Sequence, residues 1–291
     1  MMRFGPSGTD AAFCALHKEK ATTIKYLGWL GQSGLSAFEI NFTRGVRIGE
    51  VTAKAIGEVA RANNISVSGH APYFINLANP EPAAFAKNYA YIADSLAILR
   101  AIGAPDDDGR FRLVVHVGSQ CDLIRDEAIA NCRRNLGRVI EKLKTDARFA
   151  GGDFPFLLCI ETMGRYKQIG NIEEIVYLCG VDKCVVPTID FGHVNCLEQG
   201  ALRTNLGRIG EILDYCTKHL GEKMKRPHIH FSAIVYTVKG EHTHTTLDDA
   251  RWNFPYGPLA EYIRTHKLEP IVICESKGRQ ALDAIELLGH T

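Results

Sequence analysis

The 291-residue chain is 46% hydrophobic and nearly neutral, with 34 Lys and Arg against 33 Asp and Glu. Its length suits a single α/β barrel, typically ~250 residues, and no apolar run reaches the ~20 residues of a membrane span. The balanced charge excludes a general nucleic-acid coat, which would be strongly basic, but not an enzyme that grips phosphate locally with metals supplying positive charge. Nine cysteines without a Cys-x-x-Cys pair read as reduced, mostly buried thiols. The N-terminus runs straight into a strand-like segment with no secretory pattern, so a cytoplasmic location is expected.

Strands are predicted near 2–7, 36–42, 65–69, 111–117, 155–161, 184–190, 227–232 and 270–275. Helical periodicity fills the intervals, most clearly over 83–102 and 123–145. Asn171-Ile172-Glu173-Glu174 reads as a helix start, with an N-cap and early acids. Strand–helix alternation from end to end predicts one (β/α)8 TIM barrel, a single domain over residues 1–291. Two segments interrupt the alternation. Residues 191–205 are expected to form a long polar connection, and residues 232–256 another. Long loops at the carboxyl end of barrel strands usually build the site.

Six of the apolar runs close on a lone acidic or histidine residue: His70, His116, Glu161, Asp190, His230 and Glu275. At the carboxyl ends of parallel strands these side chains point to one rim. Imidazole and carboxylate donors suit zinc, and also manganese or iron. His193 follows Asp190 by three residues. His242 and His244, one residue apart in an extended loop, are expected to share a face and to bind one ion together. His228 is expected to point away from His230 as a structural histidine. A catalytic zinc needs about three protein ligands, so eight or nine donors imply two or three ions. Clustered metals are typical of phosphate-ester hydrolysis, in which one ion lowers the pKa of the attacking water and others hold the phosphoryl oxygens.

These residues carry a family resemblance over nearly the whole chain. His70-Ala71-Pro72-Tyr73-Phe74-Ile75-Asn76-Leu77-Ala78 is similar to the His-x-Pro-Tyr-x-Ile-Asn-Leu-Ala motif of the endonuclease IV family of apurinic/apyrimidinic endonucleases, within the xylose-isomerase-like barrels. His116-Val117-Gly118-Ser119, Glu161-Thr162-Met163-Gly164, Asp190-Phe191-Gly192-His193 and Cys274-Glu275-Ser276 resemble further family elements. His230-Phe231-Ser232 and Gly240-Glu241-x-x-His244 resemble the archaeal-type form. The resemblance implies a monomeric zinc enzyme, with two or three Zn2+ ions and Mn2+ in part, that cleaves duplex DNA on the 5′ side of abasic sites. It implies His70 and His116 on the first ion, and Glu161 as the catalytic bridge to a second held by Asp190, His230 and Glu275. His193 and His244 would hold the third. The departure is His242, where many members have an acid; either His242 or Glu241 would serve that ion, or the third site is weak. Arg44 and Tyr73 are expected at the DNA-binding rim. Asn76 and Ser119 are expected to orient ligands or phosphate.

The rival reading is a single-metal sugar isomerase or epimerase using Glu161, Asp190, His230 and Glu275. It leaves His70, His116, His193 and His244 without a necessary task. A barrel that binds damaged DNA without cutting it is a third reading that no residue favours.

Overall fold

In the computed structural model, which describes residues 1–18, 22–149 and 154–290, each of the eight expected runs forms a strand. The strands are β1 (Arg3–Pro6), β2 (Ala37–Asn41), β3 (Ser66–His70), β4 (Phe111–Val115), β5 (Phe156–Glu161), β6 (Val185–Asp190) and β7 (His228–His230). A hairpin of β8 (Ile234–Thr237) and β9 (Gly240–His244) then precedes β10 (Ile271–Cys274). The eight barrel strands lie parallel in the order β1-β10-β7-β6-β5-β4-β3-β2. The seam between β1 and β2 closes through a parallel bridge between Ser7 and Glu39, with Ser36 N–H donating to Phe4 O at 3.0 Å. That approach requires Gly5: a Cβ there would lie 1.7 Å from the Ala37 carbonyl oxygen.

Alternation along the strands divides the core. Phe4, Phe38, Leu113, Leu158, Val185, Ile229 and Val272 face the helices and belong to the main apolar cluster. Among the described residues, the barrel lumen holds two small apolar groups, Ala37–Ile271–Ile273 and Val114–Cys159–Val186. Buried polar residues, including Glu39, Ser68, Thr188 and His228, occupy much of the remainder. Parallel strands buried on both faces normally read as continuous apolar runs, so this lumen is committed to polar chemistry.

The expected helices are present, and local signals explain their ends. Pro82–Ile102 begins with proline in its first turn and stops at Gly103 (φ 65°). Arg125–Thr145 carries Asp126 and Glu127 in its first turn and Lys142 and Lys144 in its last, matching the helix dipole. Ile172–Cys179 starts in a capping box formed by Asn171 and Glu174.

Two expectations need correction. The segment after β6 is not an open polar connection: it forms helices Phe191–Leu197 and Ala201–Thr204. Asp190 caps the first of these, accepting from His193 N–H at 2.9 Å, and Phe191, Val194 and Cys196 are buried on it. The connection after β7 contains the antiparallel β8–β9 hairpin. Seven of the nine cysteines are buried, with Cys14 and Cys121 exposed. Among the described residues no helix is long and apolar enough to cross a membrane.

Candidate metal centre

His70, Glu161, Asp190 and His230 are the last residues of β3, β5, β6 and β7, and His116 and Glu275 stand one residue beyond β4 and β10. Strand register brings them level: Asp190 pairs with His230, and Asn41 with His70. Glu161 is fully buried at their centre. Its Oε2 lies 2.8 Å from His116 Nε2 and 3.2 Å from His70 Nε2. Its Oε1 lies 3.2 Å from His230 Nδ1 and 3.3 Å from His193 Nδ1. Two groups with metal-ligand spacing therefore share this carboxylate: His70–His116–Glu161 and Glu161–Asp190–His230–Glu275.

A third group, His193–Glu241–His244, adjoins them. Its geometry replaces the expected pairing of His242 with His244. The β8–β9 ladder slips between Val235 and Tyr236, so that Val235 faces Thr243 while Tyr236 faces Glu241. His242 is the extra residue of this bulge and is exposed. A bulge interrupts two-residue alternation, which puts Glu241 and His244, three apart, on the side facing His193. Glu241 Oε2 stands 3.7 Å from His193 Nε2. The hairpin docks on the loop after β5 through Gly240, where a Cβ would lie 2.2 Å from the Gly164 carbonyl oxygen.

The charge pattern calls for a cation. Asp190 Oδ2 and His244 Nδ1 are buried without hydrogen-bond partners, a costly state for polar atoms unless an ion satisfies them. Burial, together with Glu161 and Glu275, raises the Asp190 carboxyl above the ordinary range, although His193 and His230 oppose this. Burial works against protonated imidazoles at His70 and His193. The surrounding carboxylates nevertheless raise them to about 9 and about 10. Oxygen and imidazole donors without thiolate match a zinc or manganese site, so the residues fit divalent ions. The three groups open on a cavity of about 450 Å³ whose wall includes Tyr73, Arg165 and Gln168.

The four expected DNA-binding residues divide. Tyr73 is 53% exposed at the cavity mouth. Arg44 is exposed in the turn after β2, outside the cavity lining. Asn76 instead ties two loops: its Oδ1 accepts from Ala78 N–H at 3.0 Å, and its amide donates to Cys121 Sγ at 3.2 Å. Ser119 lies in the same loop pair, bridged to Gln168. Two features were missed by sequence reasoning. Arg165 stands half-exposed at the mouth, 3.6 Å from Glu241. Glu39, fully buried, meets both His228 and His230. His228 therefore points into the lumen beside His230, as residues two apart on a strand must, and not away from it.

A barrel with a histidine–carboxylate centre at its carboxyl rim defines a class of metal-dependent α/β-barrel proteins. Residues 27–290 match the family model described as xylose isomerase-like TIM barrel, and the chain belongs to that family. It is 28% identical over 277 residues to an uncharacterized protein of Methanocaldococcus jannaschii, covering 95% of this chain and 92% of that one. It is 29% identical over 133 residues to a probable endonuclease 4 of Mycoplasma genitalium, covering 44% of this chain and 40% of that one. The crystal structure of 3-keto-D-glucoside 4-epimerase from E. coli superposes with a TM-score of 0.66 at 14% identity, over 99% of this chain and 98% of that one. At that identity the likeness is one of fold.

Proposed function

We propose that this barrel is a zinc-dependent endonuclease that hydrolyses the phosphodiester on the 5′ side of abasic sites in duplex DNA. The observation that carries this reading is the sharing of Glu161 by two ligand groups, with a third beside them. A one-ion sugar enzyme has work for Glu161, Asp190, His230 and Glu275 but not for His70, His116, His193, Glu241 and His244. The partial similarity to a probable endonuclease 4 supports the same choice.

Clustered divalent ions, when bound, make water acidic and neutralise phosphoryl oxygens. The chain's own residues set the rest. Glu161 fixes four imidazoles around one carboxylate. Arg165 offers a guanidinium at the mouth to a backbone phosphate. Tyr73 presents a ring where a base is missing, and an abasic nucleotide is cheap to extrude because little stacking is lost. Phosphate contacts of this kind make binding fall with salt.

The second reading, a ketose epimerase or isomerase, draws on the solved structures of like fold, among them D-psicose 3-epimerase and L-ribulose 3-epimerase. A nicking assay on a duplex with one central abasic site separates the two. We expect incision 5′ to the lesion, abolished by chelation and restored by zinc. Failure to nick, together with epimerisation of free ketoses by the same metal-loaded protein, would transfer the assignment to the sugar enzymes.

A further inference from the structure

Below the ligand groups lies a second layer of buried polar residues. Glu39, on the middle of β2, is fully buried. Its Oε2 accepts from Ser68 Oγ at 3.0 Å and lies 3.0 Å from His228 Nε2. Its Oε1 lies 3.2 Å from His230 Nε2 and 3.5 Å from Ser7 Oγ. The register explains the convergence: Glu39 pairs with Ser68, and His228 lies one inward position below His230 on β7. His230 turns its other nitrogen to the ligand layer, with Nδ1 3.2 Å from Glu161, 3.6 Å from Glu275 and 3.9 Å from Asp190.

We infer that Glu39 is the positioning residue of the metal centre, fixing the tautomer and orientation of His230 from beneath while Ser68 and His228 hold its carboxylate in place. An imidazole that gives Nδ1 to an ion keeps its proton on Nε2, and that nitrogen faces Glu39. A carboxylate partner at this position fixes the ring and raises its basicity as a ligand. His230 Nε2 lies close to Glu39 without an aligned hydrogen bond. His228, with Nε2 on Glu39 and Nδ1 buried without a partner, spends its one directed contact on the same carboxylate. The inference rests on the centre binding metal, not on the substrate it acts on.

The test compares the parent chain, Glu39→Gln and Ser68→Ala by zinc competition against a chromophoric chelator and by the visible spectrum of the cobalt-substituted protein. Glu39→Gln should bind its most affected ion 10- to 100-fold more weakly, the usual cost of losing such a partner. It should bind the same number of ions at saturation and show a shifted cobalt absorption. Ser68→Ala, which keeps the carboxylate but removes one of its donors, should show a smaller loss in the same direction. It also carries the test if Glu39→Gln does not fold. Unchanged affinity and spectrum in folded Glu39→Gln, or in Ser68→Ala if that variant alone folds, overturn the inference. Loss of one whole equivalent at saturation overturns it differently, by making Glu39 a ligand. A parent chain that binds no metal removes this inference together with the metal-centre reading. Absence of DNA incision in a metal-binding parent removes only the proposed reaction.

Discussion

The two ends of the barrel handle charge in opposite ways. At the amino end several acids meet guanidinium groups: Arg3 to Asp107 at 2.5 Å, Arg112 to Asp106 at 2.7 Å, and Arg226 to Asp108 and Glu269 at 3.0 and 2.7 Å. At the carboxyl end Glu161, Asp190 and Glu275 crowd one another with imidazoles as their nearest partners, and Asp190 Oδ2 accepts no hydrogen bond. The first arrangement pairs opposite charges within the chain and serves stability. The second is complete only with cations added, and in barrels of this kind function sits at that end.

Substitutions at the two ends should therefore break different properties. The largest effect is expected from Glu161→Gln, which withdraws the shared charge from two ligand groups. It should lower incision by more than ~100-fold, beyond the usual cost of an outer partner, and lower metal content without unfolding the chain. Near-normal turnover would remove Glu161 from its central role. At the other end, Arg3→Met removes the main partner of Asp107, which is exposed and keeps the N-terminus and Arg226 nearby, and should cost ~1 kcal/mol in denaturant unfolding, as for a surface pair, with metal content unchanged. The Arg3 hydrogen bond holds the Asp107 carboxyl down to about 2, against the opposing effect of burial. A lowered folded-state pKa stabilises above the unfolded value of ~3.9 and loses that contribution as pH falls toward 2. Arg3→Met should accordingly shrink the parent's advantage below pH ~4; a constant difference down to pH 2 would show that the pair does not titrate with folding.

Smaller effects sharpen the picture of the rim. Glu241→Gln should weaken the third group's hold on zinc by ~10-fold, whereas His242→Ala should leave zinc affinity within error. The reverse ranking, measured by chelator competition, would show that the bulge does not choose the ligand. Tyr73→Ala should weaken binding to abasic duplex by ~1–2 kcal/mol if its ring stacks, and Arg44→Ala by less, with metal content untouched in both. Equal binding by parent and variants in a fluorescence anisotropy titration would remove these residues from the DNA surface.

The barrel was largely legible in the chain because eight apolar runs alternate with helical periodicity. The ligands at strand ends were legible for the same reason, since a charged residue closing an apolar run has a definable position. The hairpin was not: a bulge depends on how two strands register, and Gly240-Glu241-His242-Thr243-His244 alone favours simple alternation. The helix Phe191–Leu197 was hidden because Asp190 is both a ligand candidate and its N-cap. Glu39 left a signal that went unread. A lone acid inside Ala37-Phe38-Glu39-Ile40-Asn41 is costly to bury, so it required partners across the lumen, and His228 and Ser68 supply them.

We propose that the overlapping ligand groups hold more than one ion through Glu161. Metal content per chain, measured by inductively coupled plasma mass spectrometry on protein equilibrated with zinc and freed of excess, tests it directly. Two or three ions per chain, with fewer in Glu161→Gln, is the predicted result. One ion or none in the parent would contradict the account.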